Sequence, residues 1–154
     1  MLEDVRARTK KYVEGLTQAQ LEWFPNAKVE SIGTLLVHIA AVELSWIQED
    51  IKRDQMGEEW KAGFPIRFDI PQISDEPLEY FIGLLDSTRA VTRDVLAGLT
   101  DRDLAREVVS LDDEDNPDAP RYTIEWILYH LVEHEAHHKG QIAVMKRMLP
   151  EAIG

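Results

Sequence analysis

No cysteine occurs among the 154 residues. That absence excludes a disulfide framework, a thiolate nucleophile and a cysteine-type zinc site, so any thiol chemistry must use a thiol supplied from outside. No apolar run approaches the roughly 20 residues that span a bilayer, and the opening residues, MLEDVRARTKKY, hold no apolar signal segment. Basic side chains are in the minority: 17 Lys and Arg against 29 Asp and Glu leave a formal net charge of -12. Nucleic acid or an anionic membrane would have to approach against long-range repulsion, so neither is an expected partner. Internal repeats, low-complexity tracts and series of alternating strands are also missing. What these exclusions leave is a cytoplasmic protein whose expected partner is a small molecule.

The length suits a single domain, residues 1–154, able to bury roughly two thirds of its unfolded surface around one core. Hydrophobic residues make up 44% and charged residues 30%, ordinary values for a globular chain. Apolar residues recur at three-and-four spacing in four long segments, the mark of amphipathic helices. The first carries Leu2, Val5, Tyr12, Val13 and Leu16 and ends near Gly15 or Leu16. Thr17 has the chemistry to cap a short piece, TQAQLEWF, which Pro25 stops. Ser31 caps a second long helix bearing Ile32, Leu35, Leu36, Ile39, Val42, Trp46 and Ile47, expected to run to about Arg53. Ser74 or Asp75 caps the third, with Pro77 in its first turn and Leu78, Phe81, Ile82, Leu85, Val95 and Leu96 on its buried face, to about Gly98. Thr123 caps the last, which reaches Leu149. Four such helices predict an all-α, antiparallel four-helix bundle, an architecture whose interior is an established place for metal sites.

The connections are also informative. Between Gly57 and Ser74 two prolines and no helical period predict a long crossover or a flap beside a site. TDRDL predicts a single helical turn and REVVSL an extended piece. The acidic run from Asp112 to Asp118 is a solvated turn; it fails as an EF-hand because Pro117 stands where that loop requires glycine.

Four of the five histidines lie in the last helical segment. Its stripe of Ile124, Ile127, Leu128, Leu131, Ile142, Met145 and Leu149 passes over His134 and His138. Residues four apart on a helix stand about 5 to 6 Å apart at Cβ, so two imidazoles there can converge on one ion. His38, one turn after Leu35 and one turn before Val42, is the natural third ligand. Burying three imidazoles without partners would be costly, which favours metal binding over plain core packing. His130 and His137 fall to the side of the stripe. His134 to His138 also spells H-E-x-x-H, the zincin motif in which the glutamate is the general base. Its extended form fails, because Gln141 and Val144 occupy the positions of the required glycine and histidine.

SIGTLLVHIAAVE in the second long helix and HLVEHEAHHKGQI in the last, together with LTQAQLEWFP and the order of helices, resemble the DinB superfamily of metal-binding four-helix bundles. The resemblance covers most of the chain. It implies a facial triad of His38 from the second long helix with His134 and His138 from a last-helix pattern H-x-x-x-H-R-G-Q. Lys139 stands where that pattern has arginine, keeping the charge and losing the planar fork. Gln141 matches, and with Glu43 it is expected to brace an imidazole from behind. Characterised relatives are thiol transferases and isomerases that use bacillithiol or mycothiol at zinc or nickel, and relatives often form homodimers. The resemblance therefore implies a divalent cofactor and a low-molecular-weight thiol, with transfer to an electrophile or a related hydrolysis or isomerisation. Imidazole itself suits zinc, nickel, iron and copper alike. The alternative is a stress-induced metal-binding or interaction protein without catalysis, since fold does not fix activity.

Overall fold

A computed structural model describes residues 1–26, 28–57, 60 and 73–153. Its elements are α1 (Leu2–Val13), the short α2 (Gln18–Glu22), α3 (Ile32–Leu44), α4 (Leu78–Ala97) and α5 (Ile124–Met148). α3 packs on both α4 and α5, and α1 packs on α5, which makes a four-helix bundle with α2 as a brace at one end. None of the helices among the described residues is long and apolar enough to cross a membrane.

Local chemistry fixes the helix starts. Thr17 and Gln20 form a reciprocal capping box, the Thr17 hydroxyl accepting from the Gln20 N–H at 3.3 Å and the Gln20 side chain accepting from the Thr17 N–H at 3.0 Å. Ser31 accepts from the Thr34 N–H and Thr123 from the Trp126 N–H, each at 3.2 Å. The ends depart more from expectation. α1 stops at Val13, because Gly15 turns the chain at φ 75. α4 starts at Leu78 with Pro77 in the capping position itself, since Asp75 takes φ 64 and cannot open a helix. α3 does not run as an α-helix to Arg53. From Ser45 to Ile51 it widens into a π-helix that turns Ile47, Asp50 and Ile51 inward together, and Arg53 at φ 64 ends it.

The REVVSL stretch supplies β1 (Glu107–Val108), paired antiparallel with β2 (Tyr122–Thr123) in the register Glu107 to Thr123 and Val108 to Tyr122. This ribbon clamps the start of α5: the Ile124 N–H donates to the Arg106 carbonyl at 3.1 Å. At the other end Gly33 lets α3 approach α4 closely, as a Cβ there would stand 2.8 Å from Phe81 Cζ.

The apolar core has two parts. One gathers Val13, Leu21, Ile32, Leu36, Ile39, Phe81, Leu85, Ile142 and Met145 around α2 and the C-terminal half of α5. The other gathers Val42, Ile47, Ile51, Val108, Ile124, Ile127 and Leu131 around the N-terminal half of α5. In sequence, His38 and Glu43 flank the change from one part to the other on α3. On α5, His134, Glu135 and His138 fall between Leu131 and Ile142. A polar layer thus divides the core at mid-bundle.

Candidate metal centre

His38 enters this layer from α3, and His134 and His138 enter it one turn apart on α5. His134 Nε2 lies 3.0 Å from His38 Nε2 and 3.1 Å from His138 Nε2. The ring centroids stand 4.9, 4.8 and 4.4 Å apart, with tilted or edge-on planes. A ring nitrogen carries either one N–H or one lone pair, so His134 Nε2 can make only one well-directed hydrogen bond with these two neighbours. The convergence suits a shared cation better. Two nitrogens each ~2.1 Å from one ion stand about 3.0 Å apart when they subtend a right angle there. Among the described residues, His38, His134 and His138 are the group able to hold a metal ion.

The electrostatics keep these nitrogens available. Burial, then the neighbouring imidazoles, push His134 down to about 3. Burial likewise pushes His138 down to about 4, against a partial upward pull from Gln141. Both rings are therefore neutral across the physiological range, the state in which imidazole ligates. Gln141 Oε1 lies 2.6 Å from His138 Nδ1. A carboxamide oxygen only accepts, so Nδ1 carries the proton and Nε2 turns its lone pair toward the other two rings.

The other two histidines stand apart. His130 stacks on Trp126 at 4.9 Å and 8°, with its ring 6.0 Å from that of His134. Trp126 in turn stacks on Tyr122 at 4.3 Å, and Trp46 meets Tyr122, Trp126 and His130 edge-on. An aromatic wall therefore flanks the triad on the N-terminal side of α5. His137 is exposed and touches His138 edge-on at 5.2 Å. The expected cover from Gly57 to Ser74 falls mostly outside the described residues. Within them, Trp60 and Ile73 pack on the core, and the Ile73 N–H donates to Thr34 Oγ1 at 2.9 Å.

Glu43 does not brace an imidazole. Its Oε1 accepts from Arg89 Nε at 2.7 Å and Thr92 Oγ1 at 2.6 Å, and its Oε2 accepts from Arg6 at 2.5 Å and Arg89 at 3.0 Å. Glu135, the glutamate of H-E-x-x-H, is held in the same way. Arg6 Nε donates to its Oε1 at 2.8 Å, and Arg6 and Arg89 reach its Oε2 at 3.1 and 3.2 Å. Arg6 and Arg89 spend their remaining donors on the carbonyls of Leu85 and Leu2. A carboxylate so engaged cannot act as a metal-site base, which removes the zincin reading on geometry. Burial pushes the Glu43 carboxyl up, but the hydrogen bond from Arg89 and the charges of Arg6 and Arg89 outweigh it and leave the group below its ordinary value.

This quartet of Arg6, Glu43, Arg89 and Glu135, one residue from each long helix, was missed from sequence. The signal was present. Arg6 follows Leu2, Glu43 follows Ile39, Arg89 follows Leu85 and Glu135 follows Leu131, each by one i+4 step along an apolar stripe.

Solved structures resemble this fold. A DinB-like protein from Bacillus cereus matches with a TM-score of 0.66 and 19% identity over 94% of this chain and 85% of that one. A conserved protein from Enterococcus faecalis matches with a TM-score of 0.67 and 17% identity over 95% and 91%. No curated protein matches the chain. The protein is a helical bundle of the DinB superfamily. Within that superfamily it belongs to the family described as mycothiol-S-transferase, which matches residues 1–149.

Proposed function

We propose that His38, His134 and His138 hold one divalent ion, zinc or nickel, and that the protein transfers a low-molecular-weight thiol of the mycothiol kind to an electrophile. The convergence of three ring nitrogens, at 3.0 and 3.1 Å, carries this reading, and membership of the mycothiol-S-transferase family supports the choice of thiol. Three protein ligands leave coordination positions for a substrate, as in catalytic rather than structural sites. An ion so held supplies a Lewis acid that acidifies a thiol near neutral pH.

The chain's own residues do the rest. Gln141 fixes the tautomer and orientation of His138. The quartet keeps both glutamates away from the ion and so preserves its positive charge for the thiol. In the transfer a sulfur–carbon bond forms at the electrophilic carbon, the leaving group departs with its bonding electron pair, and the thiol proton passes to solvent. The expected setting is the cytoplasm, where a reduced thiol co-substrate is at hand, with residues 1–154 as one domain and a homodimer as the assembly.

Elemental analysis of untagged protein tests the first part. Near-stoichiometric metal in the wild type, lost in His38→Ala and His134→Ala, is the expected result. Wild type that takes up neither zinc nor nickel on incubation overturns the reading. With metal established, consumption of mycothiol in the presence of an alkyl halide tests the transfer.

A further inference from the structure

A cavity of about 530 Å³ lies against the C-terminal side of the triad. Its volume is in the range of small-molecule sites, and its walls are mainly Val29, Leu35, Val144, Met145 and Met148. It adjoins the site already described: Gln141, whose oxygen holds His138, is part of its lining. Val144 and Met148 are 46% and 51% exposed, apolar surface that the chain itself leaves uncovered.

Gly140 also lines this cavity, and it is a glycine that no neighbour demands. A Cβ built there meets no heavy atom within 4 Å, unlike Gly33, whose Cβ would strike Phe81. Glycine inside a helix is unfavourable relative to alanine. At Gly140 the space it leaves belongs to the cavity. Among the few polar lining groups, Glu30 disfavours an anion, as does the overall acidity.

Resting on the transferase reading above, we propose that this cavity seats the apolar body of the electrophile, an uncharged alkyl or aryl compound whose reactive carbon is turned toward His138. The thiol is the poorer occupant. Mycothiol is a hydroxyl-rich sugar thiol, and its hydroxyls would be buried there without enough hydrogen-bond partners.

The test uses 1-octanol as an unreactive probe and the full-length variants Gly140→Phe, which fills the cavity, and Val144→Trp, which narrows its rim from a second position. Metal content is measured on each protein and is expected to equal the wild type. Octanol is expected to raise the wild-type melting temperature saturably and to leave the variants unmoved. In turnover, KM for a series of 1-iodoalkanes is expected to fall severalfold from ethyl to hexyl in the wild type. That dependence is lost in the variants, while KM for the thiol is unchanged. No octanol effect on the wild type, an equal effect on both variants, or a change of oligomeric state on filling the cavity overturns the proposal. If no electrophile supports thiol transfer, the transferase reading falls, and the octanol result still decides whether the cavity binds apolar molecules.

Discussion

Two polar clusters share the middle of the bundle, and they are built on different chemistry. The quartet of Arg6, Glu43, Arg89 and Glu135 is complete within the chain: two positive and two negative groups, each only 2–4% exposed, with every carboxylate oxygen accepting from a guanidinium. The triad of His38, His134 and His138 is three like groups crowded onto a shared point, with the His134 and His138 rings held neutral. The first cluster spends its polarity on holding the helices, and the second gathers three ring nitrogens within reach of one ion. Buried polar groups are therefore no single category: one cluster pairs opposite charges, and the other gathers ligands of a single kind.

The sharpest way to break the quartet is Glu43→Ala, which strands two buried guanidinium groups. Loss of one partner from a buried pair costs about 3–5 kcal/mol, and the urea midpoint is expected to fall accordingly. The triad should behave in the opposite way. His134→Ala is expected to change the stability of metal-free protein by about 1 kcal/mol or less. It should abolish the stabilisation that saturating zinc or nickel gives the wild type, about 4 kcal/mol at a thousandfold excess over Kd. Thermal melts with and without chelator read both effects. A Glu43→Ala variant as stable as the wild type would dissolve the comparison.

Asp50 tests the middle ground, a buried carboxyl whose hydrogen bonds do not offset the cost of its burial. The Leu111 N–H donates to it at 2.8 Å, but burial dominates and pushes the group from 3.8 up to about 6. With the folded value raised, the native state holds the proton more tightly than the unfolded chain. The stabilising contribution is complete below pH 3.8 and is lost as pH rises through about 6. Glu43, held below its ordinary value, has the opposite sign: its contribution is present above 4.5 and fails as the pH falls. Asp50→Asn is accordingly expected to gain about 1–2 kcal/mol near neutral pH, and little below pH 3.8, in urea titrations. The smallest effect is reserved for Gly140→Ala. With nothing near its Cβ, it is expected to stabilise the protein by about 0.5–1 kcal/mol and leave its metal content intact.

Much of the fold was legible because helix signals are local. Capping by Thr17, Ser31 and Thr123 and the apolar stripes can be seen without knowing any partner. The π-helix after Leu44 could not, since an i+5 pattern arises from inward packing of Ile47, Asp50 and Ile51 that no short window reveals. Nor could the true start of α4, which depends on the left-handed turn at Asp75. In the candidate metal centre, His134 and His138 advertise themselves by their spacing, and His38 by its place in an apolar stripe. Glu43 was misassigned because sequence shows that a glutamate faces inward and not which charge meets it. Neither arginine stands out in the sequence, although each sits at a stripe position normally held by an aliphatic side chain.

The quartet also bears on how the chain assembles. Its members are separated by 37, 46 and 46 residues along the chain, and its ends, Arg6 and Glu135, by 129. Each member comes from a different helix, so any three of the helices docked together carry one charge that the fourth must offset. A compact intermediate lacking one helix would leave a buried charge unmatched, at a cost that disfavours its accumulation. α3 and α5, which bring the three imidazoles together, both carry a glutamate of the quartet, so the same docking that assembles the triad buries two negative charges that the arginines of α1 and α4 offset.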